Sequence, residues 1–408
     1  MATAAEPDPP PHADRFAARA ARVEESATAA ILGEAARLRA AGRELLDFGV
    51  GEPDFPTPDH IKAAALAALD QNFTQYTPTG GIAELKHAIV RRHAEDFGSA
   101  YAPVQALVTL GGKQAIFEAL SVLVDHGDEA ILPAPYWVSF RDQIRYVGGV
   151  PVVIACDELN GFAFPLAAVE RALTPRTKLI LVNSPANPSG AVFPPDLFRA
   201  LLDLCRRRGL WLLSDECYAR LVYDSAPYSV GGERAALDHV IIAGSLSKSY
   251  AMTGWRIGYA LAPPALINAM LNLQSHSTGN AVSFAQKAAV AALAGPQQPV
   301  ADMLAAYRRR RALIVDGLNA IPGLRCQLPG GAFYAYPNLA GLLGRRFAGE
   351  ALKTPAQFCR ALLERTGIVS VPGEAFGTHQ HLRLSFATAD AVIRQGLARL
   401  AEFAANLQ

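Results

Sequence analysis

The stretch Ser247-Lys248-Ser249-Tyr250-Ala251-Met252-Thr253-Gly254-Trp255-Arg256 decides how this chain is read. It follows Val240-Ile241-Ile242-Ala243, an apolar run that reads as a buried strand. A lysine at the end of a core strand is costly unless it has a covalent or ionic task. A Schiff base to an aldehyde cofactor is one such task, and a helix-end ion pair is another. Arg256 follows eight residues later and is a candidate for the phosphate of such a cofactor.

Outward from this stretch, short apolar runs alternate with helical segments from about Ala64 onward. Strands are expected at Leu107–Leu110, Glu129–Leu132, Pro151–Ile154, Lys178–Val182, Leu210–Leu213, Val240–Ala243 and Arg256–Leu261. Near-continuous apolar runs between helices predict an α/β fold whose mostly parallel sheet is covered on both faces. Ligands of such sheets bind at the carboxyl ends of the strands. Past about Ser277 the texture changes. A long helical region runs to Leu318, a hairpin-like segment surrounds Gly330-Gly331-Ala332-Phe333-Tyr334, and a helix covers Pro355–Thr366. Strand-like Leu382-Arg383-Leu384-Ser385-Phe386 then precedes a last helix. The expected organisation is a flexible arm over 1–20, a segment over 21–60 that packs with a smaller α+β domain over 296–408, and a large domain over 61–295.

The 408 residues carry a net charge of +1, which argues against a nucleic-acid surface. The densest basic run, Arg308-Arg309-Arg310-Arg311, reads as a solvated helix face. The five cysteines are scattered with no zinc-like spacing, which fits a reducing compartment such as the cytoplasm and no metal site. The Pro-rich start has no apolar core of a signal peptide, and no membrane span is expected.

The residues that bear chemistry cluster just after strand candidates. Gly111-Gly112-Lys113 opens a helix, where free amides make an anion site or where two glycines merely make a tight turn. Tyr136-Trp137 offers a flat surface for stacking, or a core aromatic pair. Asn183-Ser184-Pro185-Ala186-Asn187-Pro188 is a shaped turn that aims an amide inward, Asn187 more than Asn183. Asp215 follows a buried strand and needs a cationic partner, for which a protonated pyridine would serve; a helix N-cap is the alternative. Arg383 interrupts an apolar strand and suits a substrate carboxylate or a structural ion pair.

Together these stretches resemble a known family. GVGEPDFPTP (49–58), YTPTGGIAELKHAI (76–89), VTLGGKQAIFEAL (108–120), PYWVSF (135–140), VNSPANPSGAVF (182–193), SDECYARLVYD (214–224), SLSKSYAMTGWRIGY (245–259), PGGAFY (329–334) and VPGEAFG with HLRLSFA (371–377, 381–387) carry the likeness. The chain is similar to the class I aminotransferases of pyridoxal-phosphate fold type I, and within them to the bacterial aspartate and aspartate/prephenate subgroup. The likeness runs from about Arg22 to Leu400. It implies a seven-stranded, mostly parallel sheet in the large domain and an obligatory homodimer with shared active sites.

The resemblance also implies roles. Lys248 forms the internal aldimine with pyridoxal 5'-phosphate and shuttles the proton. Asp215 pairs with the pyridine N–H, while Asn187 and Tyr218 hold the phenolic oxygen. Trp137 stacks on the ring. Gly112, Lys113, Ser245, Ser247 and Arg256 surround the phosphate, with Tyr76 reaching the neighbouring subunit's phosphate. Arg383 forks onto the substrate α-carboxylate beside Gly51. Lys113 addresses the distal carboxylate of acidic substrates, and Thr28 lies in the substrate-contacting N-terminal segment. Glu25, Cys217 and Gly279-Asn280-Ala281 depart from the subgroup's pattern near the pocket. The expected activity is transfer of an amino group from an acidic or prephenate-type amino acid to a 2-oxo acid. Elimination, replacement or cyclisation on the same fold is the alternative. A third reading, the sensing domain of a transcription regulator, would need a DNA-binding domain before it, and fewer than about 30 residues precede the likeness.

Overall fold

The computed structural model describes residues 16–23, 27–234 and 238–408, with side chains throughout except at 27–30 and 32. Most of the expected arm, Glu25, and the side chain of Thr28 therefore lie outside the described residues.

The first helix, α1 (Ala27–Ala40), leads to β1 (Leu46–Asp47), α2 (Asp59–Asp70) and α3 (Ala83–Phe97). Strand and helix then alternate: β2 (Ala106–Thr109), α4 (Gly112–Leu123), β3 (Glu129–Ala134), α5 (Ser139–Tyr146), β4 (Val150–Ala155), α6 (Leu166–Ala172), β5 (Thr177–Asn183), α7 (Pro195–Arg208) and β6 (Trp211–Asp215). Next come β7 (Val240–Ser245), β8 (Gly258–Leu261), α8 (Pro264–Ser275), α9 (Ser283–Ala294) and α10 (Gln298–Asn319). The remainder holds β9 (Tyr334–Ala335), β10 (Arg346–Phe347), β11 (Glu350–Ala351), α11 (Pro355–Thr366), β12 (Ile368–Val369), β13 (Val371–Pro372), β14 (Leu382–Ser385) and α12 (Asp390–Ala405).

Seven strands form one sheet in the order β2-β8-β7-β6-β5-β3-β4. The pairs among β7, β6, β5, β3 and β4 are parallel, and β8 runs antiparallel to both of its neighbours. Every residue of β2 and β3 is buried, as a strand covered on both faces requires. One apolar cluster, with Ile131, Ile180, Leu212 and Ile242, packs on one face; another, with Leu132, Leu181, Leu213 and Ile241, packs on the other. Alternate residues of the same strands thus feed opposite layers. All seven expected strands are present. The expected strand start at Arg256 is a correction: Arg256 has φ of +56° and the strand begins at Gly258.

A second core joins Leu46 and Phe48 to Tyr307, Phe333, Phe358, Phe386 and Phe403. β1 pairs in parallel with β12, Leu46 opposite Ile368, so the N-terminal segment is sewn into the C-terminal layer. The single helical region expected up to Leu318 is divided. Gly295-Pro296 separates α9 from α10, because proline lacks the amide a continuing helix needs. The solvated reading of the arginine run also fails for half of it. Arg310 and Arg311 are buried, Arg310 on Asp54 and Asp390, Arg311 on Asp224. Arg310 also lies 5.1 Å from the ring centre of Phe55, fastening the loop after β1 to α10. All five cysteines are free, and among the described residues no helix is long and apolar enough to cross a membrane.

Candidate active site

The carboxyl ends of β5, β6 and β7, the start of α4 and the strand β14 converge on one cavity of about 460 Å³. It is large enough for a substituted pyridine together with a small amino acid. Gly51, Gly112, Lys113, Trp137, Asn187, Asp215, Tyr218, Ser245, Ser247, Lys248, Arg256 and Arg383 all line it. Tyr76 stands apart. It is 98% exposed and reaches no part of this chain's cavity.

Each side chain is held by its local structure. Lys248 lies in the turn after β7, and its Nζ donates to the carbonyl of Gly51 at 2.5 Å. Burial brings its pKa down to about 8. A neutral amine is therefore accessible near physiological pH. Asp215 ends β6 and is buried, and its Oδ1 accepts the amide of Cys217 at 3.0 Å. That is an Asx turn rather than a helix cap. Burial raises its pKa to about 6, the signature of an acid awaiting a cationic partner. Asn183, the last residue of β5, braces the turn beside it. Its amide donates to the Asp215 carbonyl at 3.1 Å, and its Oδ1 accepts the amide of Asn187 at 2.8 Å.

The start of α4 brings bare backbone to the cavity. Gly111 has φ of +87°, and a Cβ there would come within 2.7 Å of the Arg256 guanidinium. A Cβ on Gly112 would meet the Cys217 sulphur at 2.6 Å. The amides of Gly112 and Lys113 begin α4, where no carbonyl four residues back can accept them. Arg256 is spread between the carbonyls of Thr253 (2.9 Å) and Leu110 (3.1 Å). Lys113 Nζ lies 4.9 Å from the ring centre of Trp137, a cation–π arrangement that orients both.

At the other side Arg383 donates to Asn187 Oδ1 at 3.0 Å and to the carbonyl of Gly49 at 2.7 Å. Its buried Nε has no partner among the described residues. Tyr334 was not expected from the sequence as a site residue. Its Oη bonds Tyr218 Oη at 2.7 Å and its ring lies under Arg383. The only signal was its place at the end of PGGAFY. Gly49 and Asn183 act through backbone and bracing contacts, which residue type alone does not announce.

An amide cradle with Ser245, Ser247 and Arg256, a buried acid, a flat indole and a lysine of lowered basicity share one cavity. This donor set fits a phosphorylated pyridine aldehyde. The description Aminotransferase class I and II matches residues 43–400. The chain belongs to the class I and II aminotransferases. It is 45% identical to an aspartate/prephenate aminotransferase of Cereibacter sphaeroides, over 95% of this chain and 98% of that one. It is 44% identical to an aspartate aminotransferase of Streptomyces avermitilis, over 96% and 97%. The crystal structure of an aspartate aminotransferase from Rhizobium meliloti superposes with a TM-score of 0.92 at 41% identity, over 96% of this chain and 99% of that one. That of the Thermus thermophilus enzyme with maleate gives 0.90 at 38%, over 95% and 99%. This aminotransferase has fold type I and uses pyridoxal phosphate to move amino groups between amino acids and oxo acids. Relatives so named do not favour elimination, replacement or cyclisation.

Proposed function

We propose that this aminotransferase takes acidic amino donors, of aspartate, glutamate or prephenate/arogenate type, with the roles set by the cavity residues. The observation that carries the substrate class is the presence of two cations beyond Lys248 and Arg256 in one cavity. Arg383 comes from β14 and Lys113 from α4. A dicarboxylic substrate offers one anion to each. Relatives named aspartate and aspartate/prephenate aminotransferases support the same class.

Pyridoxal phosphate, when bound, supplies an aldehyde for the amino group and a ring that accepts electrons. The chain's residues do the rest. The amides of Gly112 and Lys113 with Ser245, Ser247 and Arg256 hold the phosphate. Asp215 would keep the ring nitrogen protonated, Asn187 and Tyr218 would address the phenolic oxygen, and Trp137 would pack against the ring. Arg383 fixes the substrate α-carboxylate beside Gly51. Lys248 Nζ, of lowered basicity, takes the α-proton of the substrate and returns it. Thr28 belongs to the segment facing the substrate.

The reading includes a cytoplasmic homodimer in which each chain's exposed Tyr76 completes the partner's phosphate site. The supporting observation is a tyrosine 98% exposed within the segment that leads to the sheet. A panel of amino donors tests the substrate class. Each is added alone, and loss of the absorbance band of the lysine-bound cofactor is followed. Aspartate or glutamate should discharge the band; if neither does, the acidic-donor reading fails.

A further inference from the structure

Directly behind the site lies a buried ionisable pair that the proposed chemistry does not use. Glu216 follows Asp215, so its side chain points to the opposite side of the strand end. Its Oε1 accepts the hydroxyl of Ser214 at 3.0 Å. Its Oε2 has no hydrogen bond and lies 3.7 Å from Nε2 of His93 on α3. Both side chains are almost wholly buried. The other nitrogen of His93 bonds Ser99 Oγ at 2.7 Å, and Nε2 also lies 3.4 Å from Ser229 Oγ, which fixes the ring.

Other charges near Glu216 are already matched. Arg92 and Arg220 pair with Asp96, and Arg92 also with Glu95. The neighbouring phenols are Tyr101, against the His93 ring, and Tyr250 and Tyr259. Two carboxylates side by side in a buried site cannot both stay ionised cheaply. Glu216 is among the groups that push Asp215 toward its protonated form, after burial. A neutral Asp215 would lose its hold on a protonated ring nitrogen.

We propose that His93 and Glu216 share one proton as a neutral pair, leaving Asp215 the single net charge behind the ring nitrogen. Whichever partner carries the proton, the pair adds no charge. Both are positioning residues, acting through Asp215. The inference rests on the reading of Asp215 as the ring-nitrogen partner.

The test measures the dissociation constant of pyridoxal phosphate by equilibrium dialysis from pH 6 to 9. The full-length chain is compared with H93F, E216Q and H93F/E216Q. H93F leaves Glu216 without its partner, and an uncompensated carboxylate beside Asp215 keeps Asp215 protonated to higher pH, so cofactor affinity should fall relative to wild type near pH 6 to 7 and rejoin the wild-type curve by pH 9. The expected loss is about fivefold at pH 6, from one unit of upward shift in a carboxyl that titrates there. The double variant, with no acid to compensate, should follow the wild-type curve. H93F tracking wild type throughout overturns the proposal. So does a double variant as weak as H93F, since that marks a packing role. D215N separates the underlying reading: if it binds cofactor as wild type does, that reading fails first and takes this inference with it.

Discussion

The guanidinium of Arg383 lies 4.6 Å from the ring centre of Tyr334, whose hydroxyl is bonded to that of Tyr218 at 2.7 Å. The group proposed for the substrate α-carboxylate is thus stacked on one member of a tyrosine pair whose other member is proposed to address the cofactor. A flat, five-donor fork suits that place and a point charge does not. Arg383→Lys should lower kcat/KM for amino donors about 100-fold, as loss of charged hydrogen bonds worth roughly 2–3 kcal/mol requires. Cofactor affinity should change little. Steady-state kinetics beside cofactor dialysis would check this, and unchanged kcat/KM would remove Arg383 from the substrate site.

Lys248 should cost the cofactor-free protein stability. Its pKa is about 8 in the fold against an ordinary value of 10.5. Below about pH 8 both states bind the proton, and the fold bears the penalty of a buried ammonium. Between about 8 and 10.5 the unfolded chain binds more protons than the native one, so stability recovers as pH rises. Lys248→Met should therefore melt higher than wild type at pH 7 when both lack cofactor, and the gap should close toward pH 10. The same variant should show no lysine-bound band and no turnover. Thermal melts across pH, with spectra of the loaded protein, test both.

Lys113 is exposed at the cavity mouth and oriented by Trp137. Its replacement by methionine should raise KM for dicarboxylic donors about two- to fivefold, since an exposed ion pair contributes about 1 kcal/mol or less. Donors without a distal carboxylate should be unaffected. An equal loss for both classes would point to phosphate binding instead.

Glu158, in the turn after β4, clasps the C-terminal layer. It pairs with Arg325, accepts Asn338 Nδ2 at 2.8 Å and bonds His381 Nε2 at 2.5 Å. Burial, then Arg325, lowers His381 to about 4, so the imidazole is neutral and donates at neutral pH. Glu158→Ala should cost about 1–3 kcal/mol by leaving buried donors unpaired. Urea unfolding would show it as a lower midpoint, with a separate early transition if the two cores come apart.

The seven strands were legible because each is an apolar run too short for a helix and bounded by turn residues. Lys248 and Asp215 were legible as cavity residues because charge at the end of a core strand demands a reason, and Arg383 because it interrupts an apolar strand. The burial of Arg310 and Arg311 was not. Their acids, Asp54, Asp390 and Asp224, are distant in sequence, and a local pattern cannot say that they meet. Tyr334 reads as an ordinary core aromatic until β9 and β14 place it beneath Arg383. Asn183 reads as turn chemistry because its work is to brace another turn. What escaped was the long-range closure of partners, not the local chemistry.

One contact bears on how portable this site is. A Cβ on Gly258 of β8 would stand 2.5 Å from the amide nitrogen of Gly112 and 2.4 Å from the carbonyl carbon of Gly111. The turn proposed to cradle the phosphate is thus moulded by the bare backbone of a strand far away in sequence. Grafting Gly111-Gly112-Lys113 onto another sheet would carry the letters without the mould. A side chain at Gly258 would push the turn out of place, so the two stretches can be moved only together.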